Sequence, residues 1–254
     1  MDDAGEALEA ILSNAHTELV DAGQRGKFVP AGQPAGQEDW SCVYDNLAVS
    51  IFERGKCPDC SSATPKLQYE EVVCYVTVET LIDGVGSGGA TAAEASNSHA
   101  FESAILNAKA SSMSCPKSEK KECPHTQPIL LERAAPHLPP TFILGLAWPS
   151  AQASRDLVRA LLGAVALRMD MAKMFHGTAL RTSAPASLVG MLCFYGSHYL
   201  AFWNTPEWGW TSFDDATVKT VGTWEDVAAK CHKGNLQPQL LFYTDDAAEA
   251  AAGR

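Results

Sequence analysis

The chain has 254 residues, 46% of them hydrophobic, and a formal net charge of −11 at pH 7. That is enough for one large domain or two small ones with a sizeable core. The acidic balance argues against a nucleic-acid partner, because phosphate binding wants a basic face. No apolar run approaches the roughly 18–20 residues of a membrane helix. The acidic opening, Met1-Asp2-Asp3, has no signal-peptide apolar region. A cytoplasmic or nuclear protein is expected, one whose eight cysteines stay reduced and serve burial or metal binding rather than disulfides.

Taken in chain order, residues 2–23 predict a helix, with Ala7, Leu8, Ile11, Leu12, Ala15, Leu19 and Val20 at helical spacing. Residues 22–37 form a Gly/Pro/Gln-rich connection, and Ser41 to Ile51 suits a short helix. Leu67 to Leu81 is rich in β-branched and aromatic residues and reads as strand. Asp83 to Ser98 is a Gly/Ser/Ala insert expected to be mobile, followed by a short helix from Phe101 to Lys109. Gln127 to Arg133 and Thr141 to Trp148 are strand candidates around a Pro-rich bend, and Ser154 to Leu167 is an amphipathic helix. Leu188 to Tyr195, Tyr199 to Trp203, Trp208 to Phe213 and Gln239 to Tyr243 complete an antiparallel sheet. A helix from Trp224 to Lys233 precedes the last strand, and residues 245–254 are an Ala-rich tail expected to be disordered. Sequential hairpins rather than βαβ units make the class α+β.

Two of these strands carry the most informative residues. The loop Asn204-Thr205-Pro206-Glu207 joins two apolar runs into a hairpin. With the turn centred near Pro206, His198 faces Asp214, and directly opposed side chains share a face with Cβ atoms roughly 4.5–5.5 Å apart. A carboxylate so placed holds an imidazole in one tautomer, which is the base-and-orienter half of a thiol-protease triad. On position alone, a histidine at a hairpin end is more often structural.

Gly196-Ser197-His198-Tyr199, Phe213-Asp214-Asp215 and Leu241-Phe242-Tyr243 together resemble the His box of the ubiquitin-specific proteases, a papain-like deubiquitinase family. The run from Asp214 to Val227, and that from Cys231 to Tyr243, are most similar to a plant-type branch described as inactive or ubiquitin-hydrolase-related. The resemblance continues more weakly over most of the chain. It implies a papain-like fold: an antiparallel palm sheet over roughly 141–244 and a zinc-ribbon-like finger region over roughly 55–145, interrupted by the insert 83–98. It also implies His198 as base, Asp214 as its orienter, with Asp215 a neighbour that assists, and ubiquitin or a ubiquitinated protein as partner.

Cys57-Pro58-Asp59-Cys60 is a two-spaced cysteine knuckle just before a strand. Cys115 and Cys123 flank the charged turn 117–122 at a wider spacing. Four thiolates from two turns make a tetrahedral structural Zn2+ site, with His125 able to replace one of the second pair. The competing reading is four reduced, metal-free cysteines.

The nucleophile is what the chain does not display. In the resembling family it sits in an N-terminal Gly-Asn-x-Cys box, which is absent here. The opening residues 2–8 instead resemble a later segment, so the chain is expected to begin about a third of the way into a full catalytic domain, without the thumb. Cys42 superficially resembles such a box, and Cys193 lies five residues before His198, but both read as non-catalytic. Three functions follow. One is an inactive ubiquitin-binding module. Another is a piece of an active thiol deubiquitinase cleaving after the C-terminal Gly of ubiquitin. The third is a scaffold that has lost ubiquitin binding.

Overall fold

The computed structural model describes residues 4–24, 26, 40–86, 94–118, 122–124, 126–178 and 183–248. The chain runs α1 (Ala4–Asp21), α2 (Cys42–Leu47), β1 (Val49–Arg54), β2 (Leu67–Glu71), β3 (Val73–Thr77), α3 (Val78–Val85), α4 (Glu94–Ala108), β4 (Ser112–Met113), β5 (Ile129–Leu130), β6 (Glu132–His137) and β7 (Thr141–Ala147). It continues through α5 (Arg155–Ala164), β8 (Arg168–Asp170), a 3-10 turn at Met171–Met174, β9 (Gly177–Thr178), β10 (Pro185–Tyr195), β11 (His198–Thr205), β12 (Gly209–Asp214), β13 (Thr217–Gly222), α6 (Trp224–Gly234) and β14 (Gln237–Asp245).

The larger sheet has the order β13-β12-β11-β10-β14-β7-β3, with β8 also paired to β10. Every neighbouring pair in it is antiparallel except β3 with β7. A four-stranded sheet, β2-β1-β6-β9, and the β4-β5 pair make up the rest. Strands β10 and β14 lie in the middle of the larger sheet, which is why both read as near-continuous apolar runs.

One face of that sheet is the main core. Met191, Cys193, Phe202, Leu144, Leu241 and Tyr243 pack there against Leu81 of α3, Phe101 and Ile105 of α4, Val158 and Leu161 of α5, and Val227 of α6. Leu8 of α1 packs on the opposite face with Ile143, Leu192, Leu240 and Phe242. The rest of the apolar stripe of α1 is mostly half-buried, but Ile11 is 64% exposed.

The four-stranded sheet is tied together by charge. Arg133 on β6 pairs with Glu53 on β1 at 3.2 Å and Glu71 on β2 at 3.0 Å, while Lys109 after α4 reaches Glu71 at 3.2 Å. Tyr69 donates its hydroxyl to Glu53 at 2.6 Å. An almost fully buried guanidinium is tolerable only with partners of this kind.

Several boundaries differ from the sequence reading. The strand expected over 67–81 is two strands and the start of a helix, because the Thr77 hydroxyl caps Thr80 and opens α3. Of the low-complexity insert, residues 83–85 belong to α3 and residues 94–98 to α4, while 87–93 lie outside the described residues. Helix α2 stops at Leu47, and β1 takes the rest of the expected helix. In the expected C-terminal tail, Asp245 pairs with Ala186 and Asp246 bonds to Ser187 and Arg168, so the described part is anchored; residues 249–254 lie outside the described residues.

Candidate functional site

His198 opens β11 after the tight turn Gly196-Ser197, where Gly196 takes a φ of +65°. Asp214 closes β12. The two meet, with His198 Nε2 2.6 Å from Asp214 Oδ1. A carboxylate accepts, so Nε2 carries the proton and Nδ1 is left as the basic nitrogen.

They meet by a different route from the expected one. The β11–β12 turn is centred on Glu207, one residue later than expected, so Thr205 faces Gly209 and Phe202 faces Ser212. Gly209 supplies the φ of +64° that this three-residue loop needs, and the Thr205 hydroxyl accepts from the Trp208 N–H at 3.3 Å. The pairing is therefore slipped by two residues, and Asp214 is a diagonal rather than direct neighbour of His198. An even slip keeps every side chain on its face, and the diagonal neighbour remains within reach of an imidazole.

Asp215 follows at the β12–β13 turn with a φ of +48°, a left-handed conformation that aspartate tolerates. One ligating atom each from His198, Asp214 and Asp215 lies within 4.8 Å of the others. The site is open: the His198 and Asp214 side chains are 38% and 52% exposed.

Among the described residues, no thiol stands beside this pair. Cys193 and Cys231 are fully buried against one another, and burial pushes the Cys193 thiol up. Cys74 is also buried, its thiol pushed up to about 12 by desolvation. Cys42 is exposed but sits at the other end of the sheet. Asn46, one helical turn after it, shares a cleft with Thr205, and Thr205 is seven residues along β11 from His198. Those seven steps span roughly 23 Å.

The remaining cysteines form the second candidate site. Cys57, Cys60, Cys115 and Cys123 each offer a sulfur, all within 4.8 Å of one another. Cys57 lies 3.7 Å from Cys123, and Cys60 lies 3.6 Å from Cys115. Zn–S bonds of about 2.3 Å at tetrahedral angles put sulfurs about 3.8 Å apart, so the cluster fits a four-cysteine zinc centre. The knuckle is shaped by Ser61, whose N–H donates to the Cys57 carbonyl at 2.9 Å from a φ of +58°. Hydrogen bonds from Ser62 hold the Cys60 thiol down to about 6.

Ile129, Leu131 and Met113 pack against the cluster, giving it a small core of its own. The wide spacing of Cys115 and Cys123 is bridged by local turns, with Ser118 and Glu122 N–H groups donating to the Cys115 and Lys117 carbonyls. His125, the alternative ligand, lies outside the described residues. Sequence reasoning missed Asp59, between the knuckle cysteines, which accepts from the Thr126 N–H at 2.6 Å and hydroxyl at 2.8 Å and so joins the two cysteine turns.

Residues 1–243 match the ubiquitin carboxyl-terminal hydrolase family. Human ubiquitin carboxyl-terminal hydrolase 53 is 27% identical over 252 residues, covering 96% of this chain and 22% of that protein. Mouse ubiquitin carboxyl-terminal hydrolase 54 is 28% identical over 252 residues, covering 96% of this chain and 15% of that protein. A structure of the yeast SAGA DUBm with mutant Sgf73 aligns with a TM-score of 0.60 at 16% identity, covering 96% of this chain and 50% of that one. The SAGA DUB module of Ubp8, Sgf11, Sus1 and Sgf73 bound to monoubiquitin aligns with a TM-score of 0.52 at 15% identity, covering 83% of this chain and 43% of that one. This chain thus spans less than a quarter of these curated relatives, and at such low identity the solved structures speak to the fold alone. These comparisons reach the family without separating its branches. The chain belongs to the ubiquitin carboxyl-terminal hydrolase family.

Proposed function

We propose that these 254 residues recognise ubiquitin, or a ubiquitinated protein, through the sheet and finger region without cleaving it themselves. The observation carrying this reading is an intact imidazole–carboxylate pair, His198 with Asp214, that has no thiol in reach among the described residues. A thiol hydrolase needs a thiolate beside its base. Support for the partner comes from the family match and from a DUB module of similar fold bound to monoubiquitin.

Zn2+ bound by Cys57, Cys60, Cys115 and Cys123 would be structural. Four thiolates leave no open position for water or substrate, so such an ion locks the finger turns and supplies no chemistry. Reduced thiols suit a cytoplasmic or nuclear protein. Among the described residues, no helix is long and apolar enough to cross a membrane.

A second reading is favoured by the pair itself, which is preserved and exposed. In a longer chain that brought a cysteine to Nδ1 of His198, that nitrogen would take the thiol proton, and the sulfur would attack the carbonyl carbon of the terminal Gly of ubiquitin. The proton would pass to the leaving lysine amine, with Asp214 holding Nε2–H throughout.

A ubiquitin probe bearing a C-terminal thiol-reactive group tests the non-cleaving reading. The 254-residue chain is expected to form no adduct. An adduct lost in His198→Ala would show that a thiol within these residues is activated, and the non-cleaving reading would fall.

A further inference from the structure

We propose that the adjoining ends of α5 and α6 form a docking surface for a short acidic peptide of a partner protein, one that carries carboxylates at alternate positions. The surface is made by Arg155 and Arg159 of α5 with His232 and Lys233 in the last turn of α6. The start of α5 meets the end of α6, where the Asn235 side chain donates to the carbonyl of Ala153 at 3.0 Å. Arg155, Arg159 and Lys233 are exposed, and His232 is half-buried.

These cations lack the partners that others on this acidic chain have. Lys109, Arg133, Arg168 and Lys173 each meet a carboxylate. Among the described residues, no carboxylate pairs with Arg155, Arg159 or Lys233. Arg159 instead donates Nη2–H to Nε2 of His232 at 2.8 Å, one basic side chain to another. A guanidinium on a neutral imidazole forgoes the bidentate ionic pair that a carboxylate would give it. Asp156, three residues earlier and so a neighbour on the helix surface, is passed over.

Helix stability does not account for the pattern. His232 and Lys233 suit the negative C-terminal end of α6. Arg155 is the first residue of α5, at the positive end, where a helix favours acids and disfavours a cation.

Spacing and charge select the occupant. Arg155 and Arg159 stand about 6 Å apart along the axis of α5. Alternate residues of an extended peptide project to one side about 6.6 Å apart. A Glu-x-Glu segment therefore sets one carboxylate on each guanidinium, with the second also beside His232. The molecule carries a net charge of −11, so a long polyanion running past the patch meets repulsion that a short peptide avoids. Helices α5 and α6 cover the sheet face opposite α1, and this docking does not depend on recognition of ubiquitin.

Fluorescence anisotropy of a dye-labelled peptide of four Glu-Ala repeats, titrated with the whole chain at low ionic strength, tests this. The wild type is expected to bind saturably. Arg155→Gln combined with Arg159→Gln should weaken binding about tenfold, and Lys233→Gln alone, on the other helix, about threefold. Arg54→Gln, at an exposed position on the smaller sheet, should leave the affinity unchanged. A peptide of four Glu-Ala-Ala repeats, equal in charge but out of step with α5, should bind more weakly. The proposal is overturned if no saturable binding is seen, if wild type and double variant bind alike, or if the two peptides bind alike. Tighter binding, per unit charge, of a short DNA duplex or of anionic-lipid vesicles would overturn it too, because the patch would then serve an extended polyanion.

Discussion

His198 spends its Nε2 proton on Asp214, and this single hydrogen bond decides what the ring can do. Long-range proton–nitrogen NMR is expected to show the Nε2–H tautomer in the wild type and a mixture of tautomers in Asp214→Ala. Because the pair is open to solvent, that substitution should cost less than about 1 kcal/mol of stability. An Nδ1–H tautomer in the wild type would contradict the assignment. His137 makes the opposite kind of statement. Burial depresses its pKa, against opposing contributions from the backbone carbonyl and charge of Asp45, to which Nε2 bonds at 3.1 Å. A histidine with a folded pKa below its unfolded value stabilises the protein fully above the unfolded value, about 6.5, and that contribution is lost as pH falls through the folded value. Denaturant midpoints measured from pH 7.5 downward should fall in the wild type and fall less steeply in His137→Asn; equal slopes would place the sensitivity elsewhere. That His198 and Asp214 meet was legible in the sequence because strand parity survives an even error in register. His137, and the buried Arg133 with its two glutamates, were not, because their significance comes from which strands the four-stranded sheet brings together.

At the scale of elements, local signals worked where a cap or turn residue was strong. Helix α6 opens on Thr223, whose hydroxyl accepts from the Asp226 N–H while the Asp226 carboxylate accepts from Thr223, and it closes on Asn235 at a φ of +52°. Thr223→Ala is expected to cost about 1 kcal/mol in denaturant unfolding, and a value near zero would show the box to be idle. The β11–β12 turn was read one residue early because Pro206 is a strong turn signal, while Gly209 sets the actual closure with its positive φ. Helix α3 was hidden behind a β-branched run whose end at Thr77 is marked only by the cap to Thr80. Gly190 on β10 shows what no window reveals: a Cβ there would lie 2.2 Å from the Trp203 ring on the neighbouring strand. Gly190→Ala should lose about 1–3 kcal/mol by overpacking, and an unchanged melting temperature would mean that the indole is free to move aside.

The molecule as a whole joins a helix-backed eight-stranded sheet, a smaller sheet tied by ion pairs, and a cysteine-centred turn region with its own small core. Its α+β class was legible from sequential hairpins, and the knuckle of Cys57 and Cys60 from spacing. The joining of that knuckle to Cys115 and Cys123 was not fixed by spacing, since nothing in a looser spacing states which turns will meet. If the cluster holds zinc, removing the metal by chelation under reducing conditions should lower the melting temperature by at least about 4 °C, equivalent to about 2 kcal/mol for a chain of this size. Cys123→Ser should remove the response; a chelator-insensitive wild type would leave the four cysteines as plain core.

We propose that this chain recognises ubiquitin while, among the described residues, no thiol stands beside His198 and Asp214. Titrating nitrogen-15-labelled ubiquitin with the 254-residue protein tests it most directly. Saturable shifts on one contiguous ubiquitin surface, with the ubiquitin C-terminus chemically unaltered over the course of the experiment, are the predicted result. A ubiquitin spectrum unmoved at high protein excess would rule out that recognition and leave a scaffold that has given up the family's partner.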